Sequence, residues 1–152
     1  MNNEQFEKLK QMLKCDEGVA YTAYKCSAGY WTAGVGRNLE TARFTEREIS
    51  NWLQEDIIYF YDKLMRFNFF KTLSENRQLA LINMCFNIGL NGFSKFRKMI
   101  AALEKEDFET AAEEMLDSRY ARQVGERADR LVHILVYDEI PSDWYREYKV
   151  IS

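Results

Sequence analysis

A predominantly α, α+β fold is predicted for this chain of 152 residues, and three features of the sequence predict it. After residue 45, apolar side chains recur at helical spacing nearly everywhere. A single proline, Pro141, interrupts them. Between residues 20 and 36 the pattern changes to Tyr21, Tyr24, Tyr30, Trp31 and Val35 punctuated by Gly29, Gly34 and Gly36, as expected of short strands and tight turns. With 47% hydrophobic residues the chain is long enough to bury a core as one compact domain, built in two lobes.

The first element is an amphipathic helix over Glu4 to Cys15, where Phe6, Leu9 and Leu13 fall at i, i+3 and i+7. A small β-hairpin follows within residues 20 to 36. In "FTEREISNWLQEDIIYFYDKLMRF", Thr45 and Glu48 form a capping box, each side chain satisfying an orphan amide at a helix start. The long helix that follows, over about 45–66, presents Ile49, Trp52, Leu53, Ile57, Phe60 and Leu64 on one face and spans roughly 30 Å, enough to link two lobes. Further helices are predicted at Glu75 to Phe86, Phe93 to Glu104, Phe108 to Leu116 and Glu126 to Val136, with "NIGLNG" and "SRYARQVG" as separators. They pack as a bundle in the larger C-terminal lobe, about 67–152, while residues 1–44 supply the first helix and the β-lobe. There is no internal repeat and no low-complexity segment.

Several function classes are disfavoured. The opening "MNNEQFEKLKQ" has no uninterrupted apolar stretch, and nowhere do about 18 apolar residues run together, so neither a signal peptide nor membrane insertion is expected. Three cysteines at irregular spacing (Cys15, Cys26, Cys85) make no disulfide framework, and the lone His133 without a CxxC leaves no usual zinc arrangement, so no metal is expected. A net charge of -3 argues against nucleic acid as a partner, although Arg119, Arg122, Arg127 and Arg130 offer a local basic patch.

The chemistry concentrates in "DEGVAYTAYKCSAGYWTAGVG", residues Asp16 to Gly36. Glu17 sits at the end of the first helix, where the negative end of the macrodipole and apolar neighbours disfavour ionisation, so its carboxyl group suits a general acid. A solvated helix-end glutamate is the plain alternative. Cys26 and Thr32 flank the hairpin and face the mouth of a cleft opposite Glu17, though a lone cysteine also reads as a small core hydrophobe and a threonine as strand material. With no histidine nearby, a Cys/His nucleophile is disfavoured.

The spacing of Glu17, Cys26 and Thr32, with "GYWTAGVGRN" around the threonine, resembles the Glu-Asp/Cys-Thr catalytic set of the phage lysozyme family. "LALINMCFNIGLNGFSKFRKM", "DFETAAEEMLDSRYARQVGERADR" and "DWY" are similar, in the same order, to that family's C-terminal lobe. The resemblance covers most of the chain. It implies a lysozyme-like two-lobed fold and hydrolysis of the β-1,4 bond between N-acetylmuramic acid and N-acetylglucosamine in bacterial peptidoglycan. No cofactor is needed. Glu17 would protonate the leaving glycosidic oxygen, while Cys26 and Thr32 hold or activate a water on the opposite face of the sugar, as an inverting hydrolase requires.

Position 26 is usually aspartate in the family. A thiol at its reference pKa of about 8.5 is largely neutral at pH 7 and stabilises an oxocarbenium ion less than a carboxylate does, yet a thiolate accepts a proton or attacks carbon. Arg127, in "GERAD", matches the family arginine that pairs with the catalytic glutamate. Matching positions also imply substrate contacts at Asn38, Phe86, Phe96, Glu114 and Arg119, although Phe86 and Phe96 at helical spacing read equally as core. Arg37 stands where the family commonly has histidine and leaves a permanent cation beside the cleft, and the segment from Arg37 to Phe44 is shortened. Cys15, expected on the buried helix face, would join Cys26 on oxidation if their Cα atoms lay within about 7 Å. The resemblance further implies an endolysin that acts as a monomer and accumulates in the host cytoplasm until another protein opens the membrane. Two other classes remain: a lysozyme-fold binding protein without turnover, and a cysteine-dependent hydrolase in which Glu17 is dispensable.

Overall fold

The computed structural model describes residues 1–145 and 148–151, and the chain separates into two compact units, Met1–Ile49 and Ser50–Ser152. The first unit opens with helix α1, Asn3–Glu17. Asn2 and Gln5 form a reciprocal capping box: the Gln5 amide donates to Asn2 Oδ1 (2.9 Å) and the Asn2 amide to Gln5 Oε1 (3.0 Å). Gly18, at φ +74°, ends the helix and donates its N–H to the Lys14 carbonyl. The helix thus runs two residues beyond the predicted Cys15, which makes Glu17 its last residue.

None of α1 is buried; Phe6, Leu9 and Leu13 remain 40–52% exposed. Cys15 is exposed as well, contrary to its predicted place on the buried face. Neither face of α1 is buried, and Cys15 also lies off the stripe: at 3.6 residues per turn, nine residues turn it about 180° from Phe6.

The expected hairpin is present and carries a third strand. β1 (Ala20–Lys25), β2 (Trp31–Gly34) and β3 (Arg37–Asn38) pair antiparallel in the order β1-β2-β3. Tyr24 stands opposite Thr32, Thr32 opposite Asn38, and Ala33 opposite Arg37. The first turn is a three-residue loop, Ser27 to Gly29: the Cys26 N–H donates to the Tyr30 carbonyl (3.0 Å) and the Gly29 N–H to the Cys26 carbonyl (2.8 Å). Gly29 takes the left-handed conformation (φ +85°) that such a bulged hairpin loop requires. The short third strand follows "GVG", whose two glycines also lie at positive φ.

Helix α2, Glu46–Leu64, begins in the first unit and continues into the second. Its start is the predicted capping box: the Glu48 amide donates to Thr45 Oγ1 (3.2 Å), and the Thr45 amide to Glu48 Oε2 (2.8 Å).

The second unit is helical: α3 (Asn68–Thr72), α4 (Glu75–Ser94), α5 (Arg97–Glu104), α6 (Phe108–Leu116), α7 (Arg119–Val124) and α8 (Glu126–Tyr137), then a 3-10 turn at Ser142–Tyr145. Within α4 the backbone leaves helical geometry at Gly89 (φ +71°, ψ 166°), so the helix that begins at Glu75 breaks inside the predicted separator "NIGLNG", three residues beyond the predicted end at Phe86, and a short helical stretch follows to Ser94. Phe93, expected to open the next helix, belongs to α4, and α5 starts four residues later. "SRYARQVG" is a helix rather than a separator. Ser118 caps α7 through a bond from the Ala121 amide (3.1 Å) and Gly125 (φ +55°) closes it; six residues are too few for apolar periodicity to show.

The core lies in this second unit. Phe70, Phe93, Leu64, Leu81, Met84, Met99, Leu103, Met115, Leu131 and Leu135 are its largest fully enclosed side chains, with Cys85 among them. Asp138, left-handed at the end of α8, ties that helix to the start of α4 by accepting from Ser74 Oγ (2.5 Å), while Arg77 Nε donates to the Leu135 carbonyl (2.8 Å). Among the described residues no helix is long and apolar enough to cross a membrane.

Candidate active site

The first unit contains one buried residue, and it is polar: Thr32, 4% exposed in the middle of the sheet. Its hydroxyl donates to the Tyr30 carbonyl (3.0 Å). Strand alternation places its neighbours. Tyr24 pairs with Thr32 and Cys26 closes the hairpin against Tyr30, so Cys26 and Thr32, each two residues from the other's strand partner, share a face of the sheet. Asn38, opposite Thr32 on the other side, belongs to the same face.

Cys26 is partly exposed, and its thiol is pulled below the ordinary value. The amides of Tyr30 and Ala28 contribute most, followed by the Thr32 hydroxyl, against a smaller opposing effect of lost solvation. The hairpin turn is therefore a cradle of donors for a thiolate. This departs from the reference behaviour assumed from sequence, because the turn amides converge on sulfur only once the loop is closed. Cys85, by contrast, lies in the core and burial pushes its thiol up to about 12.

Glu17 is exposed, and its carboxylate lies against the turn that follows β2. A Cβ built on Gly36 would stand 3.3 Å from Glu17 Oε2 and 3.8 Å from Cδ. Gly36, at φ +66°, thus supplies both the bend and the room for this carboxylate. The sequence marked Gly36 as a turn glycine, but nothing in it pointed to the room that it leaves for Glu17.

Asn38 is used within the fold: its Oδ1 accepts from the amides of Glu40 (2.9 Å) and Thr41 (3.3 Å), shaping the turn after β3. Arg37 is not a free cation. It pairs with Glu48, donates from Nη2 to the Arg43 carbonyl (3.1 Å) and stacks on Phe44 at 5.1 Å. That arginine, with the two Thr45 bonds, holds the Glu48 carboxyl down to about 2.

In the second unit, Phe86 is exposed and lines, with Arg127, Asn83, Leu53, Ile57 and Ile82, a hollow of about 390 Å³. Arg127 is anchored there: Nε donates to Asn83 Oδ1 (2.9 Å) and Nη2 to the Asn83 carbonyl (3.0 Å). Asn83 was not singled out from sequence, because a polar residue on an apolar helix carries no signal of what it holds. Phe96 and Glu114 line a different depression, with Lys95, Arg97 and Lys98, and Phe96 packs edge-on to Tyr120. Arg119 is exposed at the start of α7. The basic patch suggested by Arg119, Arg122, Arg127 and Arg130 does not form as a free cluster. Arg127 is held by Asn83, and Arg130 is nearly enclosed between Glu126, Asp143 and the Trp144 ring. Among the described residues no cluster of three His, Cys, Asp or Glu side chains is arranged to hold a metal.

A small antiparallel sheet bearing a thiol and a hydroxyl beside a helix-end carboxylate, followed by a helical unit with its own core, defines a predominantly α member of the lysozyme-like α+β class. Residues 14–133 match the phage lysozyme family, and the chain belongs to it. It is 27% identical to the "Probable T4-type lysozyme 2" of Dictyostelium discoideum, over 83% of this chain and 92% of that one. It is 30% identical to the "Endolysin" of Acyrthosiphon pisum secondary endosymbiont phage 1, over 80% of this chain and 84% of that one. The "Pre-baseplate central spike protein Gp5" of Enterobacteria phage T4 is 26% identical over 88% of this chain, in a match covering 28% of its own length.

Proposed function

We propose that this protein is an endolysin-type muramidase that hydrolyses the β-1,4 bond between N-acetylmuramic acid and N-acetylglucosamine in peptidoglycan and so lyses bacteria. The observation that carries the reading is the seating of the Glu17 carboxylate over Gly36, on the turn leaving the strand that holds Thr32, with Cys26 on the same sheet face as Thr32. Membership of the phage lysozyme family supplies the substrate class.

Glu17 acts as general acid, giving its proton to the glycosidic oxygen as the C1–O bond breaks. Thr32, fixed by its bond to the Tyr30 carbonyl, and the Cys26 sulfur orient and activate the water that attacks C1 from the opposite face, and the anomeric configuration inverts. Arg127 supports the catalytic site, the role of the matching arginine in the family. Asn38, Phe86, Phe96, Glu114 and Arg119 contact the glycan. The enzyme works as a monomer, gathers in the host cytoplasm and reaches the wall after another protein opens the membrane.

Turbidity clearing of permeabilised Gram-negative cells tests this directly. The wild type clears them, and Glu17→Gln slows clearing by about 10²-fold or more, the usual worth of a positioned acid. A wild type that sediments with peptidoglycan but never clears cells replaces the reading with a binding protein that lost turnover with the aspartate. A Glu17→Gln variant that clears at the normal rate replaces it with thiol hydrolysis at Cys26. Against that outcome stands the chain's single histidine, which packs on Tyr137 with ring centroids 4.8 Å apart.

A further inference from the structure

We infer that Tyr24 is a further catalytic residue: the face of its ring meets the positive charge that develops on C1 and the ring oxygen of the sugar as the glycosidic bond breaks. The inference rests on the proposed hydrolysis and deepens it. Tyr24 stands directly opposite Thr32 in the pairing of β1 with β2 and two residues before Cys26, so all three side chains share one face of the sheet. Tyr30, across from Cys26, and Asn38, across from Thr32, lie on that face too. None of the five is a carboxylate.

Glycoside hydrolysis through an oxocarbenium-like transition state ordinarily engages two carboxylates. Glu17 is assigned to protonating the leaving oxygen, so these strand residues leave C1 to sulfur, hydroxyl, amide and ring. A ring can take the second part, because its face is negative and attracts a cation within about 6 Å of the centroid. Residues paired across antiparallel strands have Cβ atoms about 5 Å apart, which puts the Tyr24 ring beside a sugar whose attacking water rests on Thr32. Tyr24 is 40% exposed, whereas Trp31, on the other face, already has the Lys25 ammonium 5.5 Å from its ring centroid.

The test replaces residue 24 of the full chain by phenylalanine and by phenylalanines carrying one, two and three ring fluorines. Shape is nearly constant along this series, while the negative charge on the ring face is withdrawn step by step. Tyr24→Phe keeps most of the turnover of solubilised peptidoglycan. Each added fluorine lowers kcat, to a total loss of about ten-fold, the scale of a partly desolvated cation–π contact, and KM stays within about two-fold. Tyr24→Leu loses at least as much. In parallel, calorimetry compares a protonated 2-acetamido iminosugar with neutral N-acetylglucosamine, and the preference for the cation falls along the same series.

A kcat that is flat across the fluorinated series, or a Tyr24→Leu enzyme as fast as wild type, overturns the inference. Should Tyr24→Leu fail to fold by circular dichroism, the isosteric series decides alone, and a ring with a purely structural part would not respond to fluorine. An inactive wild type refutes the proposed function. The iminosugar binding needs no turnover and still reads whether the ring of Tyr24 faces a cation: binding that is absent, or indifferent to fluorine, overturns that contact as well.

Discussion

The carboxylate of Glu17 and the backbone of Gly36 are in mutual contact range, with Oε2 3.3 Å from where a Cβ at position 36 would lie. A helix end and a sheet turn, nineteen positions apart, thereby lie side by side, and the absence of a side chain leaves room for the proposed acid.

Gly36→Ala adds that side chain at φ +66°. Left-handed backbone costs a non-glycine residue about 1–2 kcal/mol, and the new methyl pushes the carboxylate by a few tenths of an ångström. Gly34→Ala meets similar strain (φ +62°) but finds nothing within 4 Å. Both variants are expected to lower thermal stability alike, while clearing activity falls on the order of ten-fold in Gly36→Ala alone. Equal activity in the two would show that the contact with Glu17 does not matter to turnover.

Thiol chemistry should single out Cys26. The amides of Tyr30 and Ala28 and the Thr32 hydroxyl lower its pKa, so iodoacetamide modification should reach half its limiting rate at a lower pH than for an ordinary exposed cysteine such as that of glutathione. Thr32→Val removes one donor and shifts that midpoint upward. Cys85, buried and raised to about 12, should stay unmodified in the native protein. Peptide mass mapping across a pH series reads all three, and modification at 26 should stop clearing. Full turnover after complete alkylation would remove the thiol from the mechanism.

The pairing of Arg37 with Glu48 links β3 to the start of α2 and should show as acid sensitivity. The Glu48 carboxyl falls from 4.5 unfolded to about 2 folded, so the unfolded state takes up the proton first as pH drops. The stabilisation is therefore complete above about pH 5 and is lost as pH falls through about 2. Melting curves of the wild type and Arg37→Gln should differ by a constant amount near neutrality and converge at the acid end. A gap that persists at pH 2 would mean that Arg37 stabilises by packing on Phe44 instead.

Much of this protein was legible as a string. The capping box of Thr45 and Glu48, the long helix behind it and α6 are written in local patterns, because a helix start needs its orphan amides satisfied within one turn and an apolar stripe repeats every three to four residues. The trio Glu17, Cys26 and Thr32 was visible through its spacing and its likeness to a family. Elements of five or six residues, α3 and α7, were not, since they end before a helical apolar pattern can repeat.

Tertiary structure alone decided what each polar group is used for. Arg37 carries a charge in any sequence, but only the fold brings Glu48 to neutralise it, and only the fold turns the Asn38 side chain to its own loop. Asn83 and Gly36 look ordinary until one is found under Arg127 and the other under Glu17. Local order follows from neighbours within a turn of backbone, which the chain spells out; hydrogen-bond partners and room for a carboxylate depend on residues far apart in sequence, which only packing brings together.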